Sequence, residues 1–102
     1  MAFLRTAFFP GGTAAHEAAL AEALAGAPVP AARLLFASGA AEGGWQVVQV
    51  WETRVALEEF NRDWFLPALR AVGAAGFPAP PQVRDVEDAR VWLGGDAPPG
   101  ER

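Results

Sequence analysis

The sequence contains no cysteine, no lysine and no tyrosine, one histidine (His16) and one serine (Ser38). Without Cys there are no disulfides, thiolate nucleophiles or thiolate metal sites, and the redox compartment is left undetermined. Without Lys and Tyr there is no Schiff-base amine and no phenolic acid, so His16, Ser38 and the carboxylates are the side chains left for proton transfer or nucleophilic work. The basic residues are eight dispersed Arg against a net charge of −4, which gives no positive stripe for a row of phosphates; nucleic acid is not an expected partner. No apolar run approaches the ~18 residues of a membrane span, so no membrane partner is expected. The opening "MAFLRTAFF" carries one Arg and then alternates. It does not form an apolar block with a small-residue cleavage site, so no signal peptide is expected and the cytoplasm is the default location.

What is present is a core. Hydrophobic residues make up 52% of 102 residues and charged residues 20%, the composition of one globular domain able to remove roughly two-thirds of its unfolded surface from water. "AFLRTAFF" (Ala2 to Phe9) reads as a strand stopped by "PGG". Thr13 is then an N-cap for an Ala-rich helix from Ala14 to Ala25 that ends near Gly26 and the following prolines. "RLLFAS" (Arg33 to Ser38) is a second strand, joined by "GAAEGG" to a third from Trp45 to Glu52 as a hairpin.

Thr53 caps a second helix from about Arg54 to Val72. Its stripe is Ala56, Leu57, Phe60, Trp64, Pro67 and Ala71, and Pro67 should bend it because its nitrogen cannot donate to the Asp63 carbonyl. "GAAGFPAPP" is a loop and "QVRDVEDARVWL" a last, irregular strand. The domain is expected over residues 1–94 and a loose tail over 95–102.

The order β-α-β-β-α-β is that of an α+β, ferredoxin-like split βαβ: a four-stranded antiparallel sheet with two helices on one face. The strands are apolar on both sides. In "GGWQVVQVWET", Trp45, Val47 and Trp51 alternate with Val48 and Val50, and strands one and two repeat the pattern. Helices cover one face; the other is larger than a soluble monomer normally leaves bare, so a second copy packed by two-fold symmetry is the expected cover. The expected partner is the chain itself.

The stretches "FFPGGT", "EGGWQVVQVWETRVALEEF" and "LPAL" together resemble the dimeric α/β-barrel superfamily, and within it the small proteins related to antibiotic-biosynthesis monooxygenases. The resemblance implies a ligand pocket between each sheet and its own helices. It also implies activities ranging from cofactor-independent quinone-forming monooxygenation to haem degradation, isomerisation and no known role. In the haem-degrading branch the strand-end Trp, matched by Trp51, is followed by a pocket Trp where Phe60 stands and an iron-ligating His where Arg70 stands. Neither is present, and Arg cannot ligate haem iron. The His that many uncharacterised relatives carry in the final strand, near Ala89 or Arg90, is also missing. No cofactor is implied, and the sole His without an HxH or HxxE arrangement offers no metal site.

His16 is the catalytic candidate. At position N3 it can reach back to the Thr13 cap amide; alternatively, sharing a face with Leu20, Ala23 and Leu24, it points an imidazole toward the sheet to exchange a proton with a phenolic substrate. Glu17 beside it reads as a solvated first-turn acid. Ser38 in "FASGA" lacks the glycines of a nucleophile elbow and reads as a strand-end turn residue. The ligand-binding candidates are Gln49, Trp51, Phe60, Trp64 and Arg70. The aromatic rings are either core and dimer interface or the walls of a flat slot for an aromatic molecule. Gln46 and Gln49 sit on opposite faces of the sheet, so one amide should enter the pocket. Arg70 either binds an acidic ligand group or favours the helix C-terminus. The expected function is therefore a homodimer binding a small, largely apolar or aromatic molecule between sheet and helices, with monooxygenase-like chemistry open to it. The competing class is a non-catalytic ligand-binding or stress-related dimerisation module.

Overall fold

The structure is a computed structural model that describes residues 2–95; the tail expected over 95–102 lies, from residue 96 on, outside the described residues. The elements are β1 (Ala2–Pro10), α1 (Ala14–Ala23), β2 (Arg33–Ala41), β3 (Gly44–Trp51), α2 (Arg54–Phe60), a π turn (Asn61–Phe65), α3 (Leu66–Val72), a 3-10 turn (Gly73–Ala75) and β4 (Gln82–Ala89). The four strands form one antiparallel sheet in the order β2-β3-β1-β4. With α2, the π turn and α3 taken as one helical arm, this is the expected β-α-β-β-α-β fold.

Strand β2 runs three residues beyond the sequence expectation and meets β3 through Glu42 and Gly43 alone, so Ser38 lies inside the strand. Gly43 takes φ +81°, the conformation such a tight turn requires. Gly44 meets a different demand. It pairs with Pro10, and a Cβ there would collide with the Phe9 carbonyl oxygen and the Phe8 ring, so the hairpin can approach β1 only as glycine.

Register sorts the side chains between the two faces. Residues paired across antiparallel strands point to the same side, and Phe3 pairs with Trp51, both packed on Leu57 of α2. That side, shared by Phe3, Arg5, Ala7 and Phe9 with Trp51, Gln49, Val47 and Trp45, is the helix face. Two separate buried clusters hold it. Phe3, Trp51 and Leu57 pack at one end, and Ala7, Phe9 and Val47 with Trp45 and Phe77 at the other. The opposite face carries Leu4, Thr6 and Phe8 with Val50, Val48 and Gln46, flanked by Leu35 and Ala37 of β2 and by Val86 of β4. No helix among the described elements packs on it.

The second helical arm differs from a kinked helix. Leu66 donates its N–H to the Asn61 carbonyl, a π-type bond, and Pro67 opens α3 in its first turn. The wider turn takes up the bond that Pro67 cannot make, so the chain continues without a break. One extra residue per turn also rotates the downstream side chains by about 100°. Trp64, inside the π turn, is 41% exposed, and Ala68 is the buried residue of the arm beyond it.

At the far edge, β4 ends at Ala89, short of the strand expected through Leu93. Between the pairs Leu4–Val86 and Ala2–Ala89 the strand holds an extra residue, and Asp88 there has φ +51°. A bulge of this kind bends the strand away from the ladder. Charge fastens this edge. Arg5 donates to both Asp85 carboxylate oxygens at 2.7 and 3.0 Å, and Arg54 of α2 reaches Glu87 at 2.9 Å and Asp85 at 3.3 Å while its guanidinium lies 4.6 Å from the Phe3 ring centroid. The hydrogen bonds from Arg5 hold the Asp85 carboxyl below the usual carboxylate range; partial burial opposes this, and the charges of Arg5 and Arg54 reinforce it.

Candidate functional site

Across the middle of the helix face runs a row without a single buried residue: Phe36 of β2, Gln49 of β3, Arg5 of β1 and Asp85 of β4. It separates the two packed clusters, and beside it Ser38 and Val83 are exposed. Phe36 and Val83 are each 45% exposed although both sit on the side that bears the helices. The face is thus sealed at its Phe3–Trp51–Leu57 end and less covered from its middle toward the Trp45 end, with exposed residues on both edge strands.

The structure brings three of the expected ligand-binding residues together. Trp51, 1% exposed, donates its indole N–H to Gln49 Oε1 at 2.8 Å and packs on Phe60 with ring centroids 5.7 Å apart. Gln49 is the amide on the helix face; Gln46, paired with Phe8 and Gly39, is on the other, as the alternation required. Trp51 belongs to the core, so of this group Gln49 and Phe60 are the ones within reach of solvent.

The other two, Trp64 and Arg70, and the catalytic candidate His16 lie elsewhere. Trp64 lines an open groove of about 330 Å³ between the end of α1 and the helical arm, with Ala23, Leu24, Asp63, Pro67 and Ala68. Arg70 stands exposed in the last turn of α3. His16 closes a capping box at the start of α1: its Nδ1 accepts the Thr13 backbone N–H at 3.0 Å, and Thr13 Oγ1 accepts from the His16 amide. Its ring lies 5.8 Å from that of Phe77, which stacks on Phe9 at 3.9 Å. Phe9 is six residues along β1 from Phe3, so His16 and Trp51 are at opposite ends of the sheet, roughly 20 Å apart by strand rise.

Glu17 is the residue whose environment the sequence reading misjudged. It is half-buried and faces the sheet, where Oε1 accepts the Ser38 hydroxyl at 2.7 Å and Oε2 accepts the Trp45 indole N–H. One position after N3, Glu17 is three residues from Leu20, the buried residue of α1, and so shares its inward face. That spacing was the signal in the sequence. It was outweighed there by the first-turn position, where acids are commonly solvated. Glu17, Ser38 and Trp45 thus form a polar cluster beside the Phe9–Phe77 stack. His16 does not hydrogen-bond Ser38, so no Ser–His pair exists.

No protein-family profile matches the sequence, and no curated protein matches it. Solved structures do. A protein from Bordetella bronchiseptica provisionally named an antibiotic biosynthesis monooxygenase superposes with a TM-score of 0.62 at 19% identity, covering 87% of this chain and 98% of its own. A similarly named protein from Chloroflexus aurantiacus gives 0.61 at 15% identity over 95% of this chain and 98% of its own. A Mycobacterium tuberculosis protein gives 0.61 at 18% identity over 88% and 96%. Likeness at this level of identity speaks to architecture alone: the chain has the ferredoxin-like fold found in antibiotic-biosynthesis-monooxygenase-like structures.

Proposed function

We propose that this chain is a homodimeric small-molecule-binding protein whose ligand, small and largely apolar or aromatic, lies on the helix face of the sheet between its two packed clusters. The observation that carries the reading is the unburied row Phe36–Gln49–Arg5–Asp85, with Ser38 and Val83 exposed beside it, on a face the helices otherwise cover. Pockets for such ligands combine apolar walls with a few fixed polar groups. Trp45 and Phe36 supply the former, and Gln49, Ser38 and Glu17 the latter. The dimer is inferred from the other face, where Leu4, Phe8, Val48, Leu35 and Val86 stand unburied without a helix over them, and Val50 beside them is buried.

Two measurements test this. Light scattering at micromolar concentration is expected to give twice the single-chain mass of 10.7 kDa; a concentration-independent single-chain mass would remove the dimer. Titration with planar phenols, quinones and other aromatics is expected to quench Trp fluorescence saturably for part of the panel. A wholly unresponsive panel would leave the face as core.

A second reading, monooxygenase-like catalysis without a cofactor, is favoured by one specific feature. The cap uses Nδ1 of His16 as an acceptor, which puts the ring proton on Nε2 and leaves that N–H to donate to a substrate oxygen beside Phe77. Oxygen uptake with the same phenols, lost in His16→Ala, would replace the binding-only reading with this one.

A further inference from the structure

Of the described acidic residues, Glu17 alone is not exposed. It also lacks a cation. Asp63, Asp85, Glu58 and Glu87 are each paired with Arg62, Arg5 or Arg54, whereas no Arg lies within ion-pair distance of Glu17 among the described residues. A half-buried carboxylate loses part of its hydration, and neutral donors replace that less well than a positive charge does. Here the replacements are one hydroxyl and one indole N–H. The approach to the carboxylate is also open, since Ser38 is exposed and Trp45, His16 and Phe77 are only half-buried.

We propose that Glu17 is the recognition site for a positively charged amine, so that the ligand of this crevice is an apolar or aromatic molecule bearing an ammonium group. This rests on the reading that the helix face binds a small molecule. Each Glu17 oxygen accepts one hydrogen bond and keeps a lone pair for an N–H of the incoming ammonium. Trp45, which donates to this carboxylate, and Phe77 pack against the same cluster, and their rings suit both the cation and the apolar remainder of the ligand. The arrangement selects against acids, which would bring a second negative charge to an uncompensated one. It also separates the amine from Arg5, whose charge is already taken up by Asp85.

The test compares three probes of one shape by Trp fluorescence and calorimetry on the full chain: 2-phenylethylamine, 2-phenylethanol and phenylacetate. The amine is expected to bind at least tenfold more tightly than the alcohol, the acid not at all, and the amine's advantage to shrink with added salt. In Glu17→Gln the amine should fall to the affinity of the alcohol while the alcohol is unchanged. The comparison on the wild type needs no variant, so poor folding of Glu17→Gln leaves the proposal testable. Equal binding of amine and alcohol, or equal losses of both in a folded Glu17→Gln, overturns the amine and keeps the binding site. Failure of all three probes together with the wider aromatic panel overturns both.

Discussion

The two ends of the helix face are built from the same kinds of residue and are packed differently. At one end Trp51, Phe3 and Leu57 are sealed, and the Trp51 N–H is satisfied by Gln49 of its own strand. At the other, Trp45 is half-buried and its N–H goes to a carboxylate that also takes the hydroxyl of an exposed Ser38. A Trp donating to a neighbouring amide inside a packed cluster stabilises the fold. A Trp donating to a cation-less carboxylate that solvent can reach is, on the proposed reading, holding a charged group for a ligand. The first end therefore reads as a stability element and the second as a recognition element.

The comparison breaks most visibly if the sealed end proves dispensable. Leu57, fully buried, is expected to cost about 3 kcal/mol on truncation to Ala, from lost apolar contact and the cavity left behind. Chemical denaturation measures this, and ligand affinity per folded molecule should be unchanged. At the open end Trp45→Phe keeps a ring and removes the N–H to Glu17, so stability should fall by about 1 kcal/mol and the affinity of a bound aromatic several-fold. A variant that unfolds as readily as Leu57→Ala would erase the distinction.

Acid sharpens the picture at the sheet edge. Asp85 has its folded value depressed by the Arg5 hydrogen bonds, below the unfolded carboxylate value of about 3.9. The stability it contributes is therefore complete above that value and disappears as pH falls through the folded one. Asp85→Asn should lower stability by about 1 kcal/mol at neutral pH and by progressively less below pH 4, the two denaturation curves converging. The smallest effect belongs to His16. Its Nδ1 serves the α1 cap, so His16→Ala should cost about 0.5–1 kcal/mol in thermal unfolding and leave ligand affinity intact.

The fold was legible because alternation and capping are local. The two-sided apolar pattern of β3 and the Thr13 and Thr53 caps each depend on a few neighbouring residues and are present as expected, whereas the hairpin connection expected over "GAAEGG" tightens to Glu42 and Gly43. The helical arm was legible only in outline. Pro67 announced a disturbance, which the chain meets with a π turn rather than a kink, and Trp64 inside that turn is 41% exposed. The candidate site was the least legible part. Glu17 touches Ser38 and Trp45 across 21 and 28 residues of sequence, and its spacing to Leu20 was outweighed by its place in a first turn. Gln46 and Gln49 fall on opposite sheet faces as their spacing requires, and the Gln49 amide on the helix face is engaged by Trp51 two residues away.

The claim that the open end of the helix face is a ligand site is tested most directly by filling it. Ser38→Phe replaces the hydroxyl bound to Glu17 by a ring at an exposed strand position. Trp fluorescence titrations of this variant and of the wild type, read beside their melting temperatures, are expected to show saturable quenching in the wild type and none in Ser38→Phe, with the variant still folded. Undiminished binding in folded Ser38→Phe would contradict the account.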